Sequence, residues 1–530
     1  MIALAKVVFL KPYLETDASW EMIRTSRYLG LWYMASKLKS KGHSVWYLDE
    51  VIRNNGINKT RLYRTELEGD SYTETPLDMS IQEYRREKRD LFQSLSSKDF
   101  VDKYSAFQDE KIIRTIAKTG CTTEETLEEL GIIQPDFVGI ALISTSNVRA
   151  AVKTGKAIKD QFPNTKIIYG GHHVSALPEQ FLKENPWVDY VVIGDGIDIV
   201  EDIVEGKVKD KILYQGFKPM ERFPLLDMDI IEAISYPIDQ QYSYPSFGRK
   251  STDFMFSKGC FRKCEFCVAG GQEDNRVVFL NWDLIDEQLS LFKQCGIEEL
   301  IIQDDAFIFG GKNVMARKLA LMKKYGFYWQ NSGGIDFELL TDDITDLFIE
   351  YNKSGPGRLT GMYIPFNPRL WNKGKSATDT MINRYTRHFN NLKRLREEGG
   401  VYIFTSEIVG EPNQTWETIL EDIESHKQMI LEGFLDTALT LSATMLPGTK
   451  WYEENGHNII NKNDIAGFSL FPTHHKTKNL PDPRLIEELF ALRTKELNSI
   501  QNTYNWQTPF PNSDWAYKDG NYNGVATLKL

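Results

Sequence analysis

Cys260-Phe261-Arg262-Lys263-Cys264-Glu265-Phe266-Cys267 follows a short apolar run, Asp253-Met255-Phe256 with Phe254 inside it, and the reading of this stretch decides the fold. Three thiolates in a C-x3-C-x2-C spacing ligate metal positions that sit close together, and soft sulfur selects zinc or an iron–sulfur cluster. A structural zinc site wants a fourth ligand. The histidines nearest in sequence, His173 and His388, lie far along the chain. Three cysteines without a fourth point to a [4Fe–4S] cluster with one iron open to a small ligand; a zinc site and three unrelated cysteines are the alternatives. The other two cysteines, Cys121 and Cys295, stand alone. Five cysteines in 530 residues are too few and too odd in number for a disulfide framework, so a reducing, cytoplasmic setting is expected.

Outward from the cysteines, strand-like and helix-like segments alternate. Strands are expected at 253–256, 299–303, 328–330, 361–364, 402–408 and 437–441. Helices are expected at 283–292, 313–324, 342–350, 379–396 and 415–431. Such a series predicts a partial or complete parallel barrel with its chemistry at the C-terminal strand ends. Thr415 fits a helix N-cap.

Upstream, the same alternation runs from Val7 to Leu10 (strand), 25–39 (helix) and 44–48 (strand). It resumes at 123–130, 137–143, 148–162, 166–169, 178–185 and 190–193. It implies a doubly wound parallel sheet, whose ligands bind at the C-terminal strand ends. Three loops there are rich in small or polar residues: Ser144-Thr145-Ser146-Asn147, Gly170-Gly171-His172-His173 and Gly194-Asp195-Gly196. Residues 52–110 break the pattern; the charged run Glu83 to Asp90 reads as a solvated face on a helical insertion. Residues 216–250, carrying Pro219, Pro224, Pro237 and Pro245, read as a linker, and 484–505 as an amphipathic helix.

Composition is that of an ordinary globular protein, 41% hydrophobic and 26% charged. With 63 basic against 74 acidic residues, a net charge of −11 disfavours a nucleic-acid groove. No apolar run approaches the roughly 18–20 residues a bilayer span needs. Met1 to Leu10 contains Lys6 and no small-residue cleavage site, so it reads as a first strand and not a signal peptide.

The cysteine loop after a barrel's first strand, with the aromatic Phe266 before its last cysteine, resembles the radical S-adenosylmethionine (SAM) superfamily. An N-terminal sheet with Gly-Gly-x-His and Gly-acidic-Gly loops resembles its cobalamin (B12)-binding subfamily. The resemblance implies an α/β protein: a Rossmann-like cobalamin-binding domain (1–215, with the insertion at about 52–110), a linker (216–250), a partial (β/α)6 radical SAM barrel (251–455) and a C-terminal extension (456–530). It implies that Cys260, Cys264 and Cys267 hold the cluster and that Phe266 lies against the SAM adenine. Gln303-Asp304-Asp305-Ala306-Phe307 resembles the subfamily's Asp-Asp-x-Phe, which makes Asp304 and Asp305 SAM candidates; a strand-end Asp capping the next helix is the other reading. Asn367 stands where relatives carry a Gly-x-Glu-Ser and is a ribose candidate. Glu407 and Gly410, in a fifth-strand turn, are further SAM candidates, and Pro447-Gly448-Thr449 matches the barrel's closing turn.

Ser144, Thr145, Ser146, Gly170, Gly171, His172, Gly194, Asp195 and Gly196 are the implied cobalamin contacts. Two departures are noted: no Asp-x-His-x-x-Gly is present, and Ile197 replaces the last acid of a Gly-Glu-Gly-Glu. The implied function is methylation of an unactivated carbon, with a 5′-deoxyadenosyl radical generated at the cluster and methylcobalamin as methyl donor. Alternatives are ring contraction, cyclisation or oxidation on the same scaffold, or a cobalamin-dependent sensor or carrier. A small-molecule or peptide substrate and a flavodoxin- or ferredoxin-type electron donor are implied, the donor docking at Lys258, Arg262 and Lys263. Trp506, Phe510, Trp515, Tyr517 and Tyr522 are candidates to cover the barrel mouth, and His474-His475 to meet an anionic substrate.

Overall fold

The computed structural model describes residues 4–18, 27–53, 59–216, 223–232, 249–269, 276–331, 333–366, 368 and 380–503. Asn367 and the five aromatic tail residues lie outside them.

The first sheet has six parallel strands in the order Ile212–Gln215, Tyr190–Gly194, Lys166–Gly170, Phe137–Ala141, Lys6–Lys11, Ser44–Asp49. Its strands are short runs of Val and Ile because both faces are covered. Val7 and Phe9 pack with Trp32 and Tyr33 on one face, and Val8 and Leu10 with Val138, Ile140 and Tyr169 on the other. The strand order reverses between Lys6–Lys11 and Phe137–Ala141, which opens a crevice at the C-terminal strand ends. The edge strand Ile212–Gln215 and the helix Ile197–Val204 add to what the alternation predicted.

The second sheet also has six parallel strands, here neighbours in chain order: Ser251–Phe254, Glu299–Ile302, Tyr328–Asn331, Leu359–Tyr363, Tyr402–Val409 and Thr437–Ser442. Helices intervene at Trp282–Gln294, Gly311–Lys324, Asp342–Lys353, Thr380–Glu397 and Trp416–Leu431. Thr415 caps the last of these, its side chain accepting from the Thr418 N–H. One apolar cluster runs from the first sheet's inner face into this one, through Trp32, Phe254, Phe292 and Trp329. Polar ties cross with it: the Arg27 N–H donates to Asp253 Oδ2 (3.1 Å) and its Nη1 to Thr252 Oγ1 (2.9 Å).

The segment expected as a helical insertion does hold two helices, but it opens with two strands that the sequence did not announce. Thr60–Glu68, Ser71–Leu77 and Lys111–Thr119 pair antiparallel, with Leu14–Asp17 on one edge. Gly69 and Asp70 make the tight turn, Gly69 at φ +57°. Charge conceals the two-residue period: Thr65 and Leu67 are buried while Arg64 and Glu68, on the other face, meet water. The helices Ile81–Ser94 and Ser97–Tyr104 follow, and the first is not merely solvated, since Ile81, Tyr84 and Phe92 are buried.

This antiparallel unit is clasped by the chain's C-terminal part. Arg114 makes a two-pronged pair with Asp464 (2.8 and 2.6 Å) and donates to Thr473 O (2.6 Å). The helix Pro483–Thr503 sends Arg493, fully buried, to Leu439 O and Thr440 Oγ1 (2.8 Å each). Among the described residues no helix is long and apolar enough to cross a membrane.

Candidate functional site

The cysteine loop is pinned before it begins. Ser257–Lys258 pairs with Val278–Phe279, and Asp304, at the end of the neighbouring strand, accepts from the Phe256 N–H (2.7 Å) and the Ser257 hydroxyl (2.5 Å). Lys318 from the next helix completes Asp304's surroundings at 3.1 Å, both side chains being 0% exposed. Asp304 therefore spends its carboxylate inside the protein. Asp305 points the other way: it is open to solvent, although protein surrounds it, and accepts from the Gly259 N–H (3.0 Å). Burial raises the Asp305 carboxyl above the usual carboxylate range.

Within the loop, the Cys267 N–H donates to Cys264 O (3.1 Å), making a turn that leaves Cys264 exposed and Cys260 and Cys267 half-buried. The thiols of Cys260 and Cys264 are pushed up, first by burial and then by neighbouring charges that include the other cysteines and, for Cys260, Asp305. The three thiols are thus within electrostatic reach of one another. Among the described residues, though, no three Cys, His, Asp or Glu side chains converge on a single-ion position. Arg262 is held by Asp336 (2.7 and 3.2 Å) and Glu338 (2.7 Å). Two of the three cations expected to attract an electron donor are so engaged, because Lys258 lies 3.6 Å from Asp195. On the far side the Trp451 N–H donates to Glu265 O (3.0 Å), and Phe266, 41% exposed, lies 5.3 Å from the Trp451 ring.

Two of the small-residue loops of the first sheet, those carrying His172 and Asp195, face this loop. Asp195 reaches Lys258, two residues before Cys260, and His172 is close enough to Asp305 to act on its charge. The structure so brings together His172, Asp195, Asp305 and the cysteine loop. Ser144 and Ser146 share a hydrogen bond (2.7 Å), and Thr145 bonds His173 Nδ1 (3.1 Å), a histidine that burial pushes down to about 4. Gly171 (φ +110°) and Gly194 (φ +81°) are required by the backbone, since a Cβ would stand 2.5 Å from Leu142 O and 2.3 Å from Gln215 O respectively. Gly170 differs: its Cβ would meet nothing closer than 3.8 Å, so protein packing does not demand glycine there.

Glu407 is buried, within electrostatic reach of Arg493. Gly410 is fixed by Gln414 Oε1 (2.7 Å, to its N–H) and His475 Nε2 (2.8 Å, to its carbonyl). His474 and His475 are both fully buried, which corrects their reading as contacts for an anionic substrate: burial keeps them neutral, His474 accepting from the Met445 N–H. Lys318 was missed by sequence reasoning. Its signal was a lone lysine among Met315, Leu319 and Met322 on one helix face.

Comparison with known proteins adds the following. Residues 106–204 match the model of the B12 binding domain family. The chain is 25% identical over 363 residues to an uncharacterized methyltransferase, PH0819, of Pyrococcus horikoshii, covering 65% of this chain and 74% of that one. It is 29% identical over 80 residues to the cobalamin-dependent radical SAM methyltransferase TokK of Streptomyces tokunonensis, covering 15% and 12% respectively. In fold it resembles the cobalamin-dependent SAM radical enzyme OxsB, with a TM-score of 0.52 at 12% identity over 90% of this chain and 65% of that one.

Proposed function

We propose, from a chain that carries a B12-binding domain and is homologous to radical SAM methyltransferases, that this enzyme methylates an unactivated carbon of a small-molecule or peptide intermediate. The observation that carries the reading is the facing of two loop systems, with Lys258 and Asp305 beside the cysteines meeting Asp195 and His172 on the first sheet. In this reading residues 1–215 are the cobalamin-binding domain, 216–250 a linker, 251–455 a partial (β/α)6 barrel and 456–530 an extension.

The residues fit the groups they would hold. Cys260, Cys264 and Cys267 offer three soft donors within electrostatic reach of one another, which suits a cluster whose irons each take one thiolate. Gly170, which packing does not require to be glycine, and the hydroxyls of Ser144 and Ser146 suit the close approach of a large planar cofactor. When bound, cluster and SAM supply a hydrogen-abstracting radical and cobalamin the methyl group.

The chain's own residues hold and shield. Asp304, with Lys318, fixes the backbone entering the cysteine loop. Asp305, solvent-facing beside Cys260, is the SAM candidate of the pair, while Phe266 and Trp451 offer an aromatic wall for an adenine. Asp195 and His172 tie the two loop systems together, an arrangement that would hold a substrate C–H between the two bound cofactors and limit water there. An oxygen-sensitive cluster is consistent with a cytoplasmic setting and a small electron-transfer protein as reductant, recruited by Lys263 now that Arg262 is neutralised.

Anaerobic reconstitution tests this. About four iron and four sulfide per chain are expected, with Cys264→Ala losing both cluster and SAM cleavage. Deuterium from the SAM methyl group should appear in the product. Cleavage of SAM with unlabelled product would replace methylation by another radical outcome.

A further inference from the structure

A cavity of about 360 Å³ lies between the antiparallel unit and the C-terminal helix. None of its walls belongs to the cysteine loop or to the three small-residue loops of the first sheet. Its size is within the range of small-molecule sites, about 300–1,000 Å³.

One wall is aromatic, and a lysine stands in it. Lys88 sits on the helix stripe that also carries Ile81, Tyr84 and Phe92. Its ammonium lies 4.0 Å from the centre of the Tyr104 ring and 5.8 Å from those of Tyr84 and Phe100. Among the described residues no carboxylate comes within ion-pair distance of it, although Asp17 and Glu487 act on it from farther off. Burial pushes the amine down to about 8.

Glu487, on the C-terminal helix, lines the same cavity. One carboxylate oxygen accepts from the Ala106 N–H (3.2 Å), with the Ser105 hydroxyl close by; the other is buried without a hydrogen-bond partner. The remaining charges around the space are committed elsewhere or remote from this pair. Arg114 is spent on Asp464 and stands 3.9 Å from Asp17, Arg64 pairs with Glu66 at 3.1 Å, and Lys103 lies over the outer Tyr104 ring.

A buried cation and a buried carboxylate oxygen each cost desolvation, and pairing them directly would offset part of it. The fold instead keeps them apart across an open space with an aromatic wall. We propose that this cavity binds a small zwitterion with an apolar body, an α-amino acid or an amino carboxylate of similar size. Its carboxylate would meet Lys88, its ammonium the free oxygen of Glu487, and its body the rings of Tyr84, Phe100 and Tyr104. This site is independent of the proposed methylation chemistry.

Titration calorimetry of the full chain with three probes tests it: L-phenylalanine, phenylacetate and phenethylamine. L-Phenylalanine should bind one per chain and at least about tenfold tighter than either single-charge analogue. Lys88→Met should weaken L-phenylalanine and phenylacetate but leave phenethylamine unchanged, and Glu487→Gln should weaken L-phenylalanine and phenethylamine but leave phenylacetate unchanged. Thermal unfolding shows whether each variant is folded, and the wild-type ranking stands without them. No binding of any probe at millimolar concentration, equal binding of all three, or L-phenylalanine binding that survives Lys88→Met would overturn the proposal.

Discussion

Lys318→Met tests the physical reasoning about the cysteine loop most directly. The substitution keeps an unbranched apolar stem of similar length and removes the ammonium. Asp304 is then left 0% exposed, with only the Phe256 N–H and the Ser257 hydroxyl as donors. Two charge-assisted hydrogen bonds disappear, at 3.1 Å to Asp304 and 2.6 Å to Phe307 O. At about 1.5–3 kcal/mol each they sum to about 3–6 kcal/mol. Breaking one side of a buried pair typically costs about 3–5 kcal/mol, which agrees. The stem still packs against Phe307, so little of the loss is cavity formation.

Urea unfolding followed by circular dichroism should show that destabilisation. Adding Asp304→Asn should restore at least about half of it, because the uncompensated charge goes while a carbonyl remains to accept from Phe256. Since Asp304 anchors the residues that lead into Cys260, reconstituted Lys318→Met should also hold less iron. A loss below about 1 kcal/mol, or a double variant no more stable than the single one, would refute the argument that this pair is buried and structural.

Three further outcomes follow from the same geometry. Burial first, offset in part by the Thr126 hydroxyl and the Tyr13 N–H, raises the Glu50 carboxyl to about 7 from 4.5. A raised carboxyl favours the fold below its unfolded pKa and loses that contribution as pH climbs through the folded one. Glu50→Gln should therefore gain stability relative to the parent between pH 4.5 and 7, by up to about 3 kcal/mol, and then level off; denaturation at pH 5 and 8 reads it, and a constant difference would contradict it. Lys258→Ala removes a partly exposed pair worth about 0.5–1 kcal/mol, so hydroxocobalamin titration should show roughly two- to fivefold weaker uptake; unchanged uptake would sever the link between the two loops. Gly194→Ala should destabilise the apoprotein by at least about 1–2 kcal/mol from its backbone angle alone, whereas Gly170→Ala should leave thermal stability intact and reduce cobalamin uptake.

The parallel strands were readable because burial on both faces leaves continuous apolar runs such as Val7 to Leu10, with little else for those residues to do. The antiparallel unit was not, because one face of Thr60–Glu68 is wet and its arginines and glutamates mask the two-residue period. The run Glu83 to Asp90 misled for a related reason: it is mostly charged, yet Tyr84 and Lys88 turn inward with Ile81 and Phe92. The cysteines stood out because their spacing is local. Asp304 and Asp305 are indistinguishable as letters, and their opposite orientations are decided by Lys318 on another element. The Asp195–Lys258 contact joins loops brought together only by tertiary packing, so no local pattern announces it.

The Arg114–Asp464 clasp has a consequence for how the chain is made. The two partners are 350 residues apart. At roughly 5–20 residues per second of synthesis, Arg114 waits about twenty seconds to a minute for its carboxylate to be translated. Through that interval the antiparallel unit stays open on the side that Thr473 and Glu487 later cover, with only Asp17, at 3.9 Å, to balance the Arg114 guanidinium and with the aromatic wall of Tyr84 and Phe100 bare. The nascent chain is most exposed to misassociation there, and the exposure ends only when the stretch from Asp464 to Glu487 has been made.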